Sequence, residues 1–329
     1  MAVVLVSSRS FGQIAPIGQR LLEEGGATVH RVGPEHRPLD EATLAGLVGS
    51  VGPDVLLSGA EPVSRRVLEA SANLRMVQKH GVGVDNIDLE AASELGIAVA
   101  NAPGTNTEAV ADLTLAFMLA LLRAVVPAAA STKSGGWERF IGNELGRLTV
   151  GVVGTGRIGR AVIRRLSGFG SRVLAFDVYE DDTFAANAGI EYVPLERLLR
   201  EADVVTLHVP LIEATRDLIS VEQLRWMKPS AFLINIARGE LVDEAALAEH
   251  LAAERLAGAA VDVFATEPPQ QSPLLGLDNV IATPHIGAYT VEAMECMAQR
   301  CAETILRVLG GEYPENVLNR DALRAQAGR

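Results

Sequence analysis

Residues 148 to 166 read LTVGVVGTGRIGRAVIRRL: an apolar β-like run, a turn carrying Gly154, Gly156 and Gly159, and then a helical pattern with one apolar face. A bare G-x-G-x-x-G is a weak sign, but a buried strand before it and an amphipathic helix after it supply the context that a dinucleotide fingerprint demands. Each glycine has its own task. Gly154 makes the tight turn, Gly156 lets the backbone approach a pyrophosphate, and Gly159 lets helix and strand pack closely. The amides of Arg157 and Ile158, at the positive end of the helix, then face phosphate oxygens, and Arg157 adds its own charge. The next strand, SRVLAFDVYE, ends in Asp177, 23 residues after Gly154 and close to the spacing of a carboxylate that holds ribose hydroxyls. An acid there repels a 2′-phosphate and no arginine follows at once, so NAD is favoured over NADP. A structural glycine turn and a solvated acid are the blander alternatives.

Strands and helices alternate on both sides of this unit. Before it come AVVLVS, a helix near Ile17 to Glu24, ATVHRV, a helix near Glu41 to Leu47, DVLLS, and a helix from Ser64. After it come RVLAFD, DVVTLHVP, AFLINIA, LAGAAVDVF and NVIATPH, each separated from the next by a helical pattern. Apolar runs of this kind imply strands buried on both faces of a parallel sheet. The reading is therefore α/β, with two doubly wound parallel-sheet units. Between the two series lies APGTNTEAVADLTLAFMLALLRAV, where Thr105 and Glu108 suggest a capping box opening a helix that is apolar on nearly every side. Such a helix is either a core helix or one that lies between domains or against a second subunit. The last helical stretch, VEAMECMAQRCAETILRVLGG, is expected to return to the first unit, and DALRAQAGR reads as a mobile tail.

Size and charge narrow the functions. A chain of 329 residues suggests about two domains. With 41 acidic against 29 basic residues, a net charge of −12 opposes extended attraction to nucleic acid or anionic lipid. The N-terminus MAVVLVSSRS lacks the basic leader and apolar segment of an export signal, and no run reaches the ~20 residues of a membrane span, so a soluble, cytoplasmic protein is expected. Cys296 and Cys301 are too few and wrongly spaced for a metal cluster, and no metal site is expected.

Ligands of an open parallel sheet bind beyond the carboxyl ends of its strands. Three chemistry-bearing residues stand there on successive loops: Arg238 in INIARGELVDEAAL, Glu267 in VDVFATEPP and His285 in IATPHIGAYT. Taken singly, each has an ordinary explanation as a surface ion pair, a solvated acid or a packing histidine. As an ordered set behind a nucleotide fingerprint they point to chemistry rather than packing, and the 2-oxo acid chemistry implied by the family resemblance given below also suits these residues. The planar fork of Arg238 binds a carboxylate and polarises the adjacent ketone. His285 supplies a proton to the developing alkoxide. Glu267, bonded to the other ring nitrogen, holds the ring and favours its charged form. Pro284 and Gly287 fix the loop that presents the imidazole.

These motifs, with HGVGVDNIDLEAA, NAPGTNTEAVAD, LHVPLIEATRDLI and MKPSAFLINIARGELVDEAAL, resemble those of the D-isomer-specific 2-hydroxyacid dehydrogenase family, in the family's order and through most of the chain. The resemblance implies a flavodoxin-like substrate domain from residues 1 to 100 with 289 to 329, and a Rossmann NAD domain at 101 to 288 inserted in it. It also implies a homodimer, with the helix from Asn106 near the interface. In the cofactor site it places His208 and Pro210, Ile236, Ala237 and Arg238, Asp262 as partner of the nicotinamide amide, and His285 with Gly287. His208 has a packing reading of equal weight, and Asp262 has one as a core-lining acid. For the substrate, the resemblance assigns the backbone amides of Val82 and Gly83 to the carboxylate.

Phosphoglycerate dehydrogenases of the family carry an arginine where SGAEPV has Ser58, which weakens that assignment. Lys79, His80 and Arg9 remain candidates for reading an anionic tail, with solvated surface charges as the alternative. The chain stops soon after the last helix, so a short form without a regulatory domain is expected. Small acids of the hydroxypyruvate, glyoxylate or phosphoglycerate kind are the expected substrates. Two rivals share the fold. An NAD-sensing, corepressor-like protein is disfavoured by the lack of recruitment tails, and a formate dehydrogenase would pair its histidine with glutamine rather than Glu267.

Overall fold

The computed structural model describes residues 1–327, and the chain divides into two compact units, 1–106 with 289–329 and 107–288. In the first, β1 (Val3–Val6), β2 (Thr28–Arg31), β3 (Val55–Ser58), β4 (Met76–Lys79) and β5 (Ala98–Ala100) form one sheet in the order β2-β1-β3-β4-β5. All pairs are parallel. Leu5, Leu56, Val77 and Val99 face one layer of core beneath the helix Glu41–Val51 and its neighbours. On the other face the helices Ile17–Glu24 and Val291–Leu309 pack against each other, so the late helix does return to the first unit.

The second unit holds β6 (Thr149–Val153), β7 (Arg172–Phe176), β8 (Glu191–Tyr192), β9 (Val204–Leu207), β10 (Phe232–Asn235), β11 (Gly258–Val261) and β12 (Val280–Ala282). Their order is β12-β11-β10-β9-β6-β7-β8, again all parallel. The chain leaves β6 toward β7 and resumes at β9 on β6's other side, so the loops after β6 and β9 diverge and open a crevice there. The two-residue edge strand β8 carries too little apolar pattern to show in the sequence.

The helix Thr107–Leu122 buries Val110, Leu115, Phe117 and Met118 against the helix Arg157–Leu166 and strands β10 and β11, which makes it a core helix of the second unit. The Thr105 hydroxyl donates to the Ala102 carbonyl at 2.8 Å, and Glu108 pairs with Arg164 and Arg165 on the neighbouring helix. Of the expected tail, the residues up to Ala327 lie in the α-helix Arg320–Ala327. Residues 328 and 329 of that expectation lie outside the described residues. Among the described residues no single helix is long and apolar enough to cross a membrane.

Candidate active site

The glycine turn after β6 has the geometry its sequence suggests. Gly154 sits at φ +97°, and a Cβ there would lie 2.8 Å from the backbone of His208, at the end of β9. A Cβ on Gly159 would stand 1.9 Å from the Gly154 carbonyl oxygen, so a side chain at either position collides with main chain. Gly156 differs, because a Cβ there meets nothing within 4 Å and would fill the open cradle in front of the turn. Gly156 is also the N-cap of the helix Arg157–Leu166, and no side chain caps it, which leaves the first-turn amides of Arg157 and Ile158 directed at that space. The residues therefore fit a bound pyrophosphate.

Asp177 follows β7 and reaches back to the turn. Its Oδ2 accepts the Thr155 amide at 2.6 Å and the Thr155 hydroxyl at 3.0 Å, and its Oδ1 accepts the Tyr179 amide at 3.0 Å. Partial burial opposes the charge, but these donors hold the carboxyl below its ordinary range. An ionised acid beside the cradle suits ribose hydroxyls and repels a 2′-phosphate.

Across the crevice, His208 bonds Thr206 Oγ1 through Nε2 at 3.0 Å, and its shielded Nδ1 has no partner among the described residues. Burial lowers its pKa to about 3, so the ring is neutral and cannot offer a positive charge to a phosphate. Pro210 is exposed, and its carbonyl accepts the Thr215 hydroxyl at 2.7 Å. Beyond β10, Ile236 is buried and Ala237 half-buried, and the Ala237 carbonyl accepts Arg238 Nη1 at 2.7 Å. The Asn235 amide group donates to the Arg238 carbonyl at 2.7 Å, which fixes the start of that loop.

His285 and Glu267 meet: Nδ1 to Oε2 is 2.9 Å, with the imidazole 47% and the carboxylate 35% exposed. Burial works against the charge of Glu267, but the His285 bond and charge, the Phe264 amide and the nearby Arg238 guanidinium pull its carboxyl below the ordinary value. Three groups remote in sequence thus share one electrostatic neighbourhood. With Nδ1 turned to the carboxylate, Nε2 is the nitrogen left for a reactant.

The backbone of His285 lies in the left-handed region at φ +53°, uncommon for a side chain of this size. Asp262 supplies the restraint. Its carbonyl accepts the His285 amide at 2.9 Å, and its carboxylate takes the Ile286 and Gly287 amides, both at 2.8 Å, and the Thr283 hydroxyl at 2.5 Å. Burial raises its pKa against the pull of those donors and of the His285 charge. A core-lining acid that clamps the histidine loop is therefore the role its contacts define. No sequence spacing marks this, because the contact depends on β11 and β12 being neighbours.

In the first unit, the turn after β4 is held by its carbonyls: Gly81 accepts the Ala102 amide at 2.8 Å and Val82 accepts Asn101 Nδ2 at 2.7 Å. Among the described residues the amides of Val82 and Gly83 find no acceptor. Lys79 Nζ is engaged, donating to the Gly59 carbonyl at 2.6 Å and to Asn86 Oδ1 at 2.5 Å. His80 is corrected as a reader of anions. It is 7% exposed with Nδ1 on Ser10 Oγ at 2.9 Å, and burial, aided by Lys79, lowers its pKa to about 4, so it is neutral. Arg9 stays exposed.

Residues 115–287 match the profile of the D-isomer specific 2-hydroxyacid dehydrogenase, NAD binding domain. The chain is 47% identical over 268 residues to a D-3-phosphoglycerate dehydrogenase of Methanocaldococcus jannaschii, covering 80% of this chain and 51% of that relative, so it spans about half that protein's length. It is 42% identical over 273 residues to a glyoxylate reductase of Korarchaeum cryptofilum, covering 81% and 82% of the two chains. Among solved structures, the TT0316 protein of Thermus thermophilus superposes with a TM-score of 0.84 at 39% identity, over 96% of this chain and 99% of that one.

Proposed function

The chain belongs to the D-isomer specific 2-hydroxyacid dehydrogenase family, and from that premise we propose that it reduces a small 2-oxo acid to the D-2-hydroxy acid with NADH, reversibly. The NAD-binding domain of the family is present. The observation that carries the reading is the 2.9 Å bond between His285 and Glu267 within the field of Arg238.

Held by the glycine turn and Asp177, NADH would supply the electron pair, as hydride, for the carbonyl carbon. Arg238 pairs its guanidinium with the substrate carboxylate and draws electron density toward the ketone oxygen. As negative charge builds on the ketone oxygen, His285 delivers its Nε2 proton there and becomes neutral; in the oxidative direction Nε2 takes the proton back. Glu267 keeps Nδ1 protonated and stabilises the imidazolium before transfer. Asp177 favours NADH over NADPH.

Glyoxylate or hydroxypyruvate fits better than a phosphorylated acid, because β3 ends in Ser58 and the loop after it carries the buried Glu61 carboxylate. A homodimer is supported by the segment after the helix Val125–Lys133, which exposes Trp137, Phe140 and Ile141. Light scattering on wild type and Ile141→Asp tests that, with a monomeric wild type as the refuting result. The activity test follows NADH absorbance with glyoxylate, hydroxypyruvate and 3-phosphohydroxypyruvate, and NADPH alongside. Turnover of the first two with NADH is expected; NADH binding without turnover of any 2-oxo acid refutes the reading.

A further inference from the structure

Thr155 lies inside the glycine turn and Arg160 in the first turn of the helix behind it, and neither is marked by the fingerprint. All three polar groups of Thr155 are committed. Its amide and hydroxyl donate to Asp177 Oδ2, its Oγ1 stands 2.9 Å from the Tyr192 hydroxyl, and its carbonyl accepts Arg160 Nε at 2.9 Å. With the Thr155 proton given to a carboxylate, the Tyr192 hydroxyl is the donor in that pair. The other arm of the guanidinium, Nη2, donates to Asp181 Oδ2 at 2.9 Å, and its carbon lies 4.4 Å from the Phe184 ring centroid. Asp181 in turn caps the helix Asp182–Ala188 by accepting the Phe184 amide at 2.9 Å.

The segment 177–181 has little else to fix it, since Val178 and Tyr179 are 79% and 84% exposed. Both ends are tied to the glycine turn, one through Thr155 and the other through Arg160. We propose that Thr155 and Arg160 are positioning residues that set coenzyme choice, by locking the loop after β7 so that Asp177 meets the adenosine ribose in one fixed place. This rests on the ribose role proposed for Asp177, not on the identity of the acid reduced.

A merely structural clamp would do less. Arg160 and Asp181 are 36% and 38% exposed, and an exposed ion pair contributes little to stability. What the planar fork adds is direction, with one arm on a backbone carbonyl of the turn and the other on the cap of the next helix. Loosening it moves the acidic loop, with Asp177, Glu180, Asp181 and Asp182, away from the ribose. Two consequences follow together: NADH loses a hydrogen-bond acceptor, and NADPH loses a repulsive wall.

The test is a fluorescence titration of NADH and NADPH without any 2-oxo acid, on wild type, Arg160→Ala, Asp181→Asn and the double variant. Wild type should prefer NADH. Arg160→Ala should weaken NADH about 5- to 10-fold while NADPH holds or tightens, and Asp181→Asn should do the same, with the double variant no worse than either single one. Arg160→Lys keeps charge and stem without the fork, so it should lose discrimination too and serves if the alanine variant does not fold. An unchanged NADH to NADPH ratio in the variants, with or without a lower melting temperature, overturns the proposal. A wild type that binds both nucleotides equally overturns it as well. Absent turnover of every 2-oxo acid would defeat the proposed function and leave these outcomes readable.

Discussion

The loop after β12 and the loops after β4 and β9 each place a histidine at the carboxyl end of a parallel strand, and they use it in opposite ways. His285 is half-exposed, sits on a left-handed backbone and faces a carboxylate at 2.9 Å. His80 and His208 face hydroxyls instead, each with one shielded ring nitrogen lacking a partner among the described residues. Burial drives both into the neutral form, at about 4 and about 3. Position after a strand is therefore insufficient to make an acid–base group. The imidazole also needs an anion within hydrogen-bond reach and access to a reactant. A second contrast runs beside this one. The strand β6 is followed by a glycine turn with an open cradle, whereas β1 is followed by Ser7, Ser8 and Arg9, and Ser7 Oγ is bonded to Glu61.

The largest effect should come from removing the one exposed imidazole of the three. His285→Ala should lower kcat for 2-oxo acid reduction by about 10³-fold, within the span ordinary for a general acid, with NADH affinity retained. Glu267→Gln should cost less, about 10- to 100-fold, since the ring loses its anionic partner but keeps a hydrogen-bond acceptor. Steady-state rates beside NADH titrations check both. Loss of NADH binding in parallel with kcat would mean that the pair shapes the cofactor site rather than the proton transfer.

Next in size is the glycine turn, where neighbouring positions should separate folding from binding. Gly159→Ala drives a methyl into the Gly154 carbonyl and should destabilise the second unit by about 3 kcal/mol or more. Gly156→Ala meets open space, so its stability should change by no more than about 1 kcal/mol, the size of an N-cap effect. NADH binding should nevertheless weaken at least tenfold, because the methyl stands where the pyrophosphate belongs. Chemical denaturation and nucleotide titration of the two variants decide this; equal losses of stability would erase the distinction.

What was legible beforehand was local or ordered along the chain. The glycine turn with Asp177 is set by spacing within one β-α-β unit, and Arg238, Glu267 and His285 by their places after successive strands. What stayed hidden depends on which strands become neighbours. Asp262 clamps the His285 loop because β11 and β12 pair, and Arg160 reaches Asp181 because the helix after β6 passes the loop after β7. Local signals also misled. His80, which the sequence offers as a cation beside Lys79, is silenced by burial that no spacing reveals.

The smallest effect concerns the two silent histidines. A histidine whose folded pKa lies below its unfolded value of ~6.5 resists protonation in the native state while the unfolded chain takes up a proton. Unfolding then binds protons, so stability falls as the pH drops from about 6.5 toward the folded values, about 4 for His80 and about 3 for His208. Each such histidine should contribute a slope of about 1.4 kcal/mol per pH unit within that window and none above pH 7. His80→Asn should remove one proton's worth of slope from the first unit, and the slope in the second should persist. Hydrogen exchange of core amides in each unit at pH 7 and pH 5 separates the contributions. If the variant kept the full slope, His80 would have to titrate normally in the folded protein, and its contrast with His285 could not rest on burial.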